Sequence, residues 1–218
     1  MRFRFLAIAA LVALPMSGMS QLVITKTSTR GSDGVGGKEY VVLANHGTSA
    51  VNLTNYRLRR KSGTSTINND LTITAGSIPA KSHFLIASST YGSAAGAVEG
   101  STADYVDSNA SGLTGGLSDS TTGIAIALLD NNLNQLDAVS YTGGATAAPT
   151  IHKGTAFTGA LTSIGQTSIL KRKRAATPGP YADTGNNNSD LEISTAKASP
   201  ENSTINNVPV SMSAFSID

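Results

Sequence analysis

An all-β sandwich is the fold class this sequence predicts, and three observations predict it. Only 14% of the 218 residues are charged, while Gly alone accounts for 22, a balance that suits short strands and turns. Apolar residues gather in short runs, several of them alternating with polar residues as in a half-buried strand. No stretch carries sustained helical spacing with caps.

Taken in order, the elements begin after a targeting segment. Arg2 and Arg4 precede the apolar stretch Phe5 to Pro15, and Met16-Ser17-Gly18-Met19-Ser20 offers small residues for cleavage after Ser20. The stretch is shorter than the roughly 20 apolar residues a bilayer span needs. Residues 1–20 are therefore expected to be a signal peptide, residues 21–195 a β-sandwich, and residues 196–218 a tail or extra edge strand. The chain is expected to be exported, secreted or at the cell surface, with no membrane span after cleavage.

Leu22 to Thr27 reads as the first strand, and Glu39 to Asn45 as the second, after a Gly-rich loop. Val51 to Arg59 alternates and reads as one strand, followed by Leu71 to Ile73. Ile78-Pro79-Ala80 turns the chain into the apolar strand Ser82 to Ala87. Residues 88–120 are dominated by Gly, Ser, Ala and Asp and read as one long loop, too polar for a core strand. Gly123 to Leu129 and Leu136 to Tyr141 flank Asp130-Asn131-Asn132-Leu133-Asn134-Gln135 and predict a hairpin.

These segments in this order resemble the lamin-tail domain in its exported form. The resemblance rests on Glu39-Tyr40-Val41-Val42-Leu43-Ala44-Asn45, on the spacing of Val51, Leu53, Tyr56 and Leu58, and on Ile78-Pro79-Ala80 before Phe84-Leu85-Ile86. It also rests on the hairpin from Gly123 that ends in Asp137-Ala138-Val139-Ser140-Tyr141. Ser168-Ile169-Leu170-Lys171-Arg172-Lys173 and Asp183 to Leu191 look like later segments of such proteins. Val42, Tyr56 and Leu191 depart from the family's commoner Glu, Trp and aromatic. The resemblance implies an immunoglobulin-like sandwich and a role in association, since the family has no established catalytic residues.

Charge and cysteine usage narrow the function. The leader holds two of the 16 Lys and Arg and none of the 14 Asp and Glu, leaving 14 against 14. A globally basic protein is not supported, and with no Cys there is no disulfide framework. The cations are nonetheless clustered. Arg57, Arg59, Arg60 and Lys61 form one run, and Lys171, Arg172, Lys173 and Arg174 form another. If the sandwich brings both onto one face, an anionic partner follows: a polysaccharide or another envelope polyanion. Solvated edge-strand charge is the plainer alternative. No aromatic residues interleave the runs, so specific nucleic-acid recognition is not expected.

Catalytic and metal signatures are weak. Ser32 stands where a phosphate-cradling loop needs its first Gly, and Glu39 follows Gly37-Lys38 where Ser or Thr is needed. No Gly-x-Ser-x-Gly elbow occurs, and His46, His83 and His152 lack metal-ligand spacing, His83 reading as a surface strand residue. Asp130, Asn132 and Asn134 alternate as in a calcium loop, but Gln135 and Tyr141 occupy the Gly and bidentate Glu positions. Asp183, Asn187 and Asp190 are the better calcium donors, against capping of their own loop. Otherwise no cofactor is expected.

The sequence thus predicts a non-catalytic module for binding, adhesion or structural association, with an unidentified extracellular protein or polyanion as partner. An accessory polysaccharide-binding module acting with a hydrolase is the alternative. A divergent nuclease or phosphoesterase ranks behind both.

Overall fold

The computed structural model describes residues 21–33, 35–62, 68–91, 98–109, 113, 116–117, 123–142, 151–158, 168–174, 180–195, 197–205 and 208. The leader expected over 1–20 and the tail beyond 208 lie outside them. The strands are β1 (Leu22–Arg30), β2 (Gly36–Asn45), β3 (Val51–Asn52), β4 (Arg57–Ser62), β5 (Asn69–Thr72), β6 (Ser77–Ile78) and β7 (His83–Ser88). They continue with β8 (Tyr105–Asp107), β9 (Ile124–Leu129), β10 (Gln135–Tyr141), β11 (Ile169–Arg172) and β12 (Leu191–Ser194). A single helical turn, α1 (Asn187–Asp190), runs directly into β12.

A six-stranded sheet in the order β12-β11-β1-β2-β7-β8 faces a four-stranded sheet in the order β10-β9-β4-β5, with β3 and β6 forming a small pair. The sandwich expected from the sequence is the fold observed. Leu22, Ile24, Val41, Leu43, Phe84 and Ile86 from the first sheet meet Leu58, Ile126, Leu128 and Val139 from the second in one core. Alternation along each strand delivers these side chains to one face, and burying each contributes about 1.5–3 kcal/mol.

The six-stranded sheet is covered on both faces. Tyr40, Val42, Leu85 and Ala87 point away from the main core and pack with Tyr91, Val98 and Ile169. Val42, which departs from the family's commoner Glu, is fully buried here and has no room for a charge. Part of the cover comes from residues 88–120, read from the sequence as a loop. Val98 in it packs on this outer face, Leu113 and Leu117 reach the main core between the sheets, and β8 extends the sheet in parallel to β7. Asp104 makes the join by accepting the Leu85 N–H at 2.7 Å, which aligns β8 with that edge.

Two further departures have local causes. The strand expected over Val51 to Arg59 is split, because Asn55 adopts φ +68° and Tyr56 N–H turns back to Leu53 O at 2.9 Å. Residues 197–205 form no strand and cross the outer face of the six-stranded sheet as a strap. The Ser101 hydroxyl donates to Pro200 O at 2.6 Å, Ser203 N–H donates to Asp104 at 2.9 Å, and the Ser82 hydroxyl donates to Ser203 O at 2.9 Å. His83 is consequently buried under the strap and not on the surface, with Nδ1 3.3 Å from Ile205 O.

Candidate functional site

Along one edge of the sandwich, β10 of the second sheet comes beside β1 of the first, with β11 next to β1 in that sheet. The gap is closed by charge. β11 alternates, so Leu170 and Arg172 point inward while Lys171 points out. The Arg172 guanidinium donates to both carboxylate oxygens of Asp137 at 2.7 and 3.0 Å, to Ile24 O at 3.0 Å and to Ala182 O at 2.9 Å. Asp137 also accepts Ile24 N–H at 2.7 Å. Lys153 reaches Asp137 at 3.0 Å and Asp183 at 2.8 Å. Burial disfavours its ammonium, but these two carboxylates outweigh that and lift its pKa above the ordinary value.

The calcium donors expected from the sequence fall into this same knot. Asp183 accepts from Lys153 and lies 3.8 Å from Arg172, and Asp190 lies 3.6 Å from Arg172. Asp190 also accepts Thr184 N–H at 2.9 Å and the Thr184 hydroxyl at 2.8 Å. Asn187 turns to β10 instead, donating to Ala138 O at 2.8 Å and accepting from the Ser140 hydroxyl at 3.2 Å. Two protein cations and several N–H and O–H donors thus occupy the oxygens a metal would use. Among the described residues no cluster of three or more His, Cys, Asp or Glu has a metal-holding arrangement.

The two basic runs are not brought together. Arg57, Arg59, Arg60 and Lys61 lie on β4 in the four-stranded sheet, and the later run belongs to the six-stranded sheet. Within β4 the alternation divides the run again. Arg59 forms a two-bond fork to Asp70 on β5 at 2.8 Å each, with Arg57 3.5 Å from the same carboxylate. Arg60 turns inward toward Glu39, a buried carboxylate that accepts Leu113 N–H at 2.8 Å and Leu117 N–H at 2.6 Å. Burial nevertheless raises Glu39 to a pKa of about 8, against those two donors and Arg60.

On the outer face of the six-stranded sheet the other run lines a groove of about 440 Å³ between β1, β11 and β12 and the strap. Lys26 and Lys171 stand directly opposite each other across β1 and β11, because a bulge between Ile24 and Lys26 carries Lys26 outward. Glu201 on the strap pairs with Lys26 at 2.6 Å, and Glu192 on β12 pairs with Lys171 at 3.0 Å. Like charges opposite each other are unfavourable in a sheet, and these two glutamates offset them. Lys173 Nζ donates to Ser189 O at 2.8 Å. The Arg174 guanidinium stacks 4.4 Å from the Tyr181 ring centre and donates to its hydroxyl at 3.0 Å. Four cations therefore line the groove beside two carboxylates, Arg172 being balanced below by Asp137.

Other sequence candidates take structural places. Asp130 organises the β9–β10 turn by accepting Asn132 and Asn134 N–H, each at 2.8 Å. His83 Nε2 lies 3.1 Å from the Tyr181 hydroxyl, His46 packs edge-on against the same ring, and His152 is exposed. Lys153 and Asp137 were not singled out as site residues in the sequence. Asp137 opens the motif that ends at Tyr141, and Lys153 sits in a polar segment with no periodic signal.

This architecture is that of an immunoglobulin-like sandwich whose polar interior groups serve to join its two sheets. The chain belongs to the Lamin Tail Domain family, which matches residues 15–143, and members of that fold are typically non-catalytic. Among solved structures it is similar to a DUF4876 family protein from Bacteroides thetaiotaomicron, with a TM-score of 0.54 and 10% identity. That similarity covers 89% of this chain and 75% of the other, and shows the fold alone. No curated protein matches the sequence. The family match ends at residue 143, so β11, α1 and β12, which complete the edge and its knot, lie beyond it. No described helix is long and apolar enough to cross a membrane.

Proposed function

We propose that this chain is an exported, non-catalytic module that associates with an anionic polymer outside the cytoplasm, a polysaccharide in preference to a nucleic acid. The observation that carries this reading is the groove lined by Lys26, Lys171, Lys173 and Arg174 beside two carboxylates, with Lys171 the more exposed of the two opposed lysines. A polymer with a carboxylate or sulfate on each sugar meets such a row with repeated charge-assisted hydrogen bonds. The flanking glutamates hold the lysines extended in the free protein and can be exchanged for the polymer's own acids. Nucleic acid is disfavoured because Tyr181 is buried beneath Arg174 and offers no face for a base.

The absence of catalysis in this reading follows from how the titratable groups are employed. Asp137, Asp183 and Asp190 are committed to Arg172 and Lys153, and His83 is committed to Tyr181 and the strap. The test is a titration of the protein with polygalacturonate at two salt concentrations, with neutral dextran as the comparison. Binding to the uronate alone, weakening steeply with salt, is expected. Equal binding to dextran, or no binding at low salt, would overturn the proposal.

A further inference from the structure

The sandwich begins one residue after the expected cleavage position. β1 opens at Leu22, so removal of residues 1–20 leaves Gln21 alone ahead of the first strand. Gln21 is already seated. Its carbonyl accepts His46 N–H at 2.8 Å, while its side-chain amide donates only a long 3.4 Å bond to Asn45 Oδ1. Its side chain lies flat on Gly47, where an added Cβ would come within 2.7 Å of Gln21 Cγ and Cδ and 2.3 Å of Nε2. Gln21, His46, Gly47, Lys81 and Pro180 wall a cavity of about 360 Å³.

We propose that Gln21 is the N-terminus of the exported chain and closes there to pyroglutamate, a modification that rests on the export reading above. The α-amino nitrogen attacks Cδ of the same residue. An N–Cδ bond forms, the Cδ–Nε2 bond breaks, and the amine gives up a proton as Nε2 departs as ammonia. The product is a neutral five-membered lactam, and no oxidant, reductant or co-reactant is consumed.

Two features of the seat favour this reaction. The attacking group must be the unprotonated amine, which ordinarily titrates at about 8. Lys81 bonds to the His46 carbonyl and lines the same cavity as Gln21. Neighbouring positive charge shifts an amine toward its neutral form. The lactam is uncharged and so removes a positive charge from the cavity that Lys81 lines. The Gln21 carbonyl stays available to His46.

The experiment is intact-mass measurement and Edman sequencing of the full chain after export from a secreting host. The expected product starts at Gln21, is lighter by one ammonia, and yields no Edman signal until a pyroglutamyl aminopeptidase removes the first residue. Gln21→Ala should be exported with a free amine and its full mass. A wild-type chain that starts at Gln21 and keeps both amine and ammonia overturns the inference while leaving export intact. A retained leader overturns the export reading itself, and a cleaved chain with a different first residue overturns the inference while leaving export intact. A fusion whose protease exposes Gln21 isolates the chemistry: ammonia loss at neutral pH supports the inference, and a persistent free amine overturns it.

Discussion

Arg172 Nη2 donates to both carboxylate oxygens of Asp137, at 2.7 and 3.0 Å, and neither side chain is exposed to solvent. The pair joins β11 of one sheet to β10 of the other where the sandwich would otherwise gape. Removing one partner leaves a buried charge uncompensated, a loss of about 3–5 kcal/mol. Arg172→Met and Asp137→Asn should each lower the melting temperature by on the order of 10 °C in a domain of this size. The double variant Arg172→Met/Asp137→Asn should recover part of that loss, since the unpaired charge is gone. Urea denaturation of the four proteins measures it, and additive losses would show that the pair acts independently.

Glu39 gives the fold an alkaline sensitivity. Its pKa is raised from an ordinary 4.5 to about 8, so the folded state holds its proton where the unfolded chain releases it. Its contribution is full below pH 4.5 and is lost as pH rises through about 8. His46 works in the opposite direction: burial, then Lys81, lowers it from 6.5 to about 4, so its contribution is present above 6.5 and lost as pH falls through about 4. Glu39→Gln should flatten the decline between pH 4.5 and 8. It should also lower stability by about 1–3 kcal/mol, because one of the Leu113 and Leu117 N–H groups loses its acceptor. Denaturation midpoints across pH 4 to 9 decide both points.

Gly123 opens β9 with φ +74°, and a Cβ there would lie 2.3 Å from Tyr141 O. The obstacle is backbone in the paired strand, which does not yield as a side chain would. Gly123→Ala is therefore expected to destabilise by more than the about 1 kcal/mol of left-handed strain alone. A melt indistinguishable from wild type would contradict the close approach.

Calcium should leave the protein unchanged. Asp183 and Asp190 face Arg172, and Lys153 bonds to Asp183, so a divalent ion would have to displace a buried protein cation. Thermal melts with EDTA and with millimolar calcium are expected to coincide. A calcium-dependent rise would return Asp183, Asn187 and Asp190 to the role of ligands.

The strands that build the core were legible because alternation in Val41/Leu43, Phe84/Ile86 and Ile126/Leu128 marks half-buried or buried strands directly. The candidate site was less so, for a reason of period. Lys171 to Arg174 reads as one basic block, yet on a strand Arg172 shares its face with Leu170 and was bound for the interior. The same rule separates Arg60 from Arg57 and Arg59. His83 was misplaced because its partner Tyr181 lies 98 residues away, and no local pattern reports it. Val98, Leu113 and Leu117 were hidden as single apolar positions in a polar stretch, Val98 finding its place on the sheet's second face and the two leucines in the main core.

In the proposed function the groove, and no other basic surface, holds the anionic partner. Paired charge reversals test it directly: Lys171→Glu/Lys173→Glu in the groove and Arg57→Glu/Arg59→Glu on β4, each titrated with polygalacturonate at low salt. The account predicts at least a tenfold loss of affinity, about 1.4 kcal/mol, for the groove variant and near wild-type binding for the β4 variant. Undiminished binding by the groove variant, with loss confined to the β4 variant, would contradict it and move the interface to the opposite sheet.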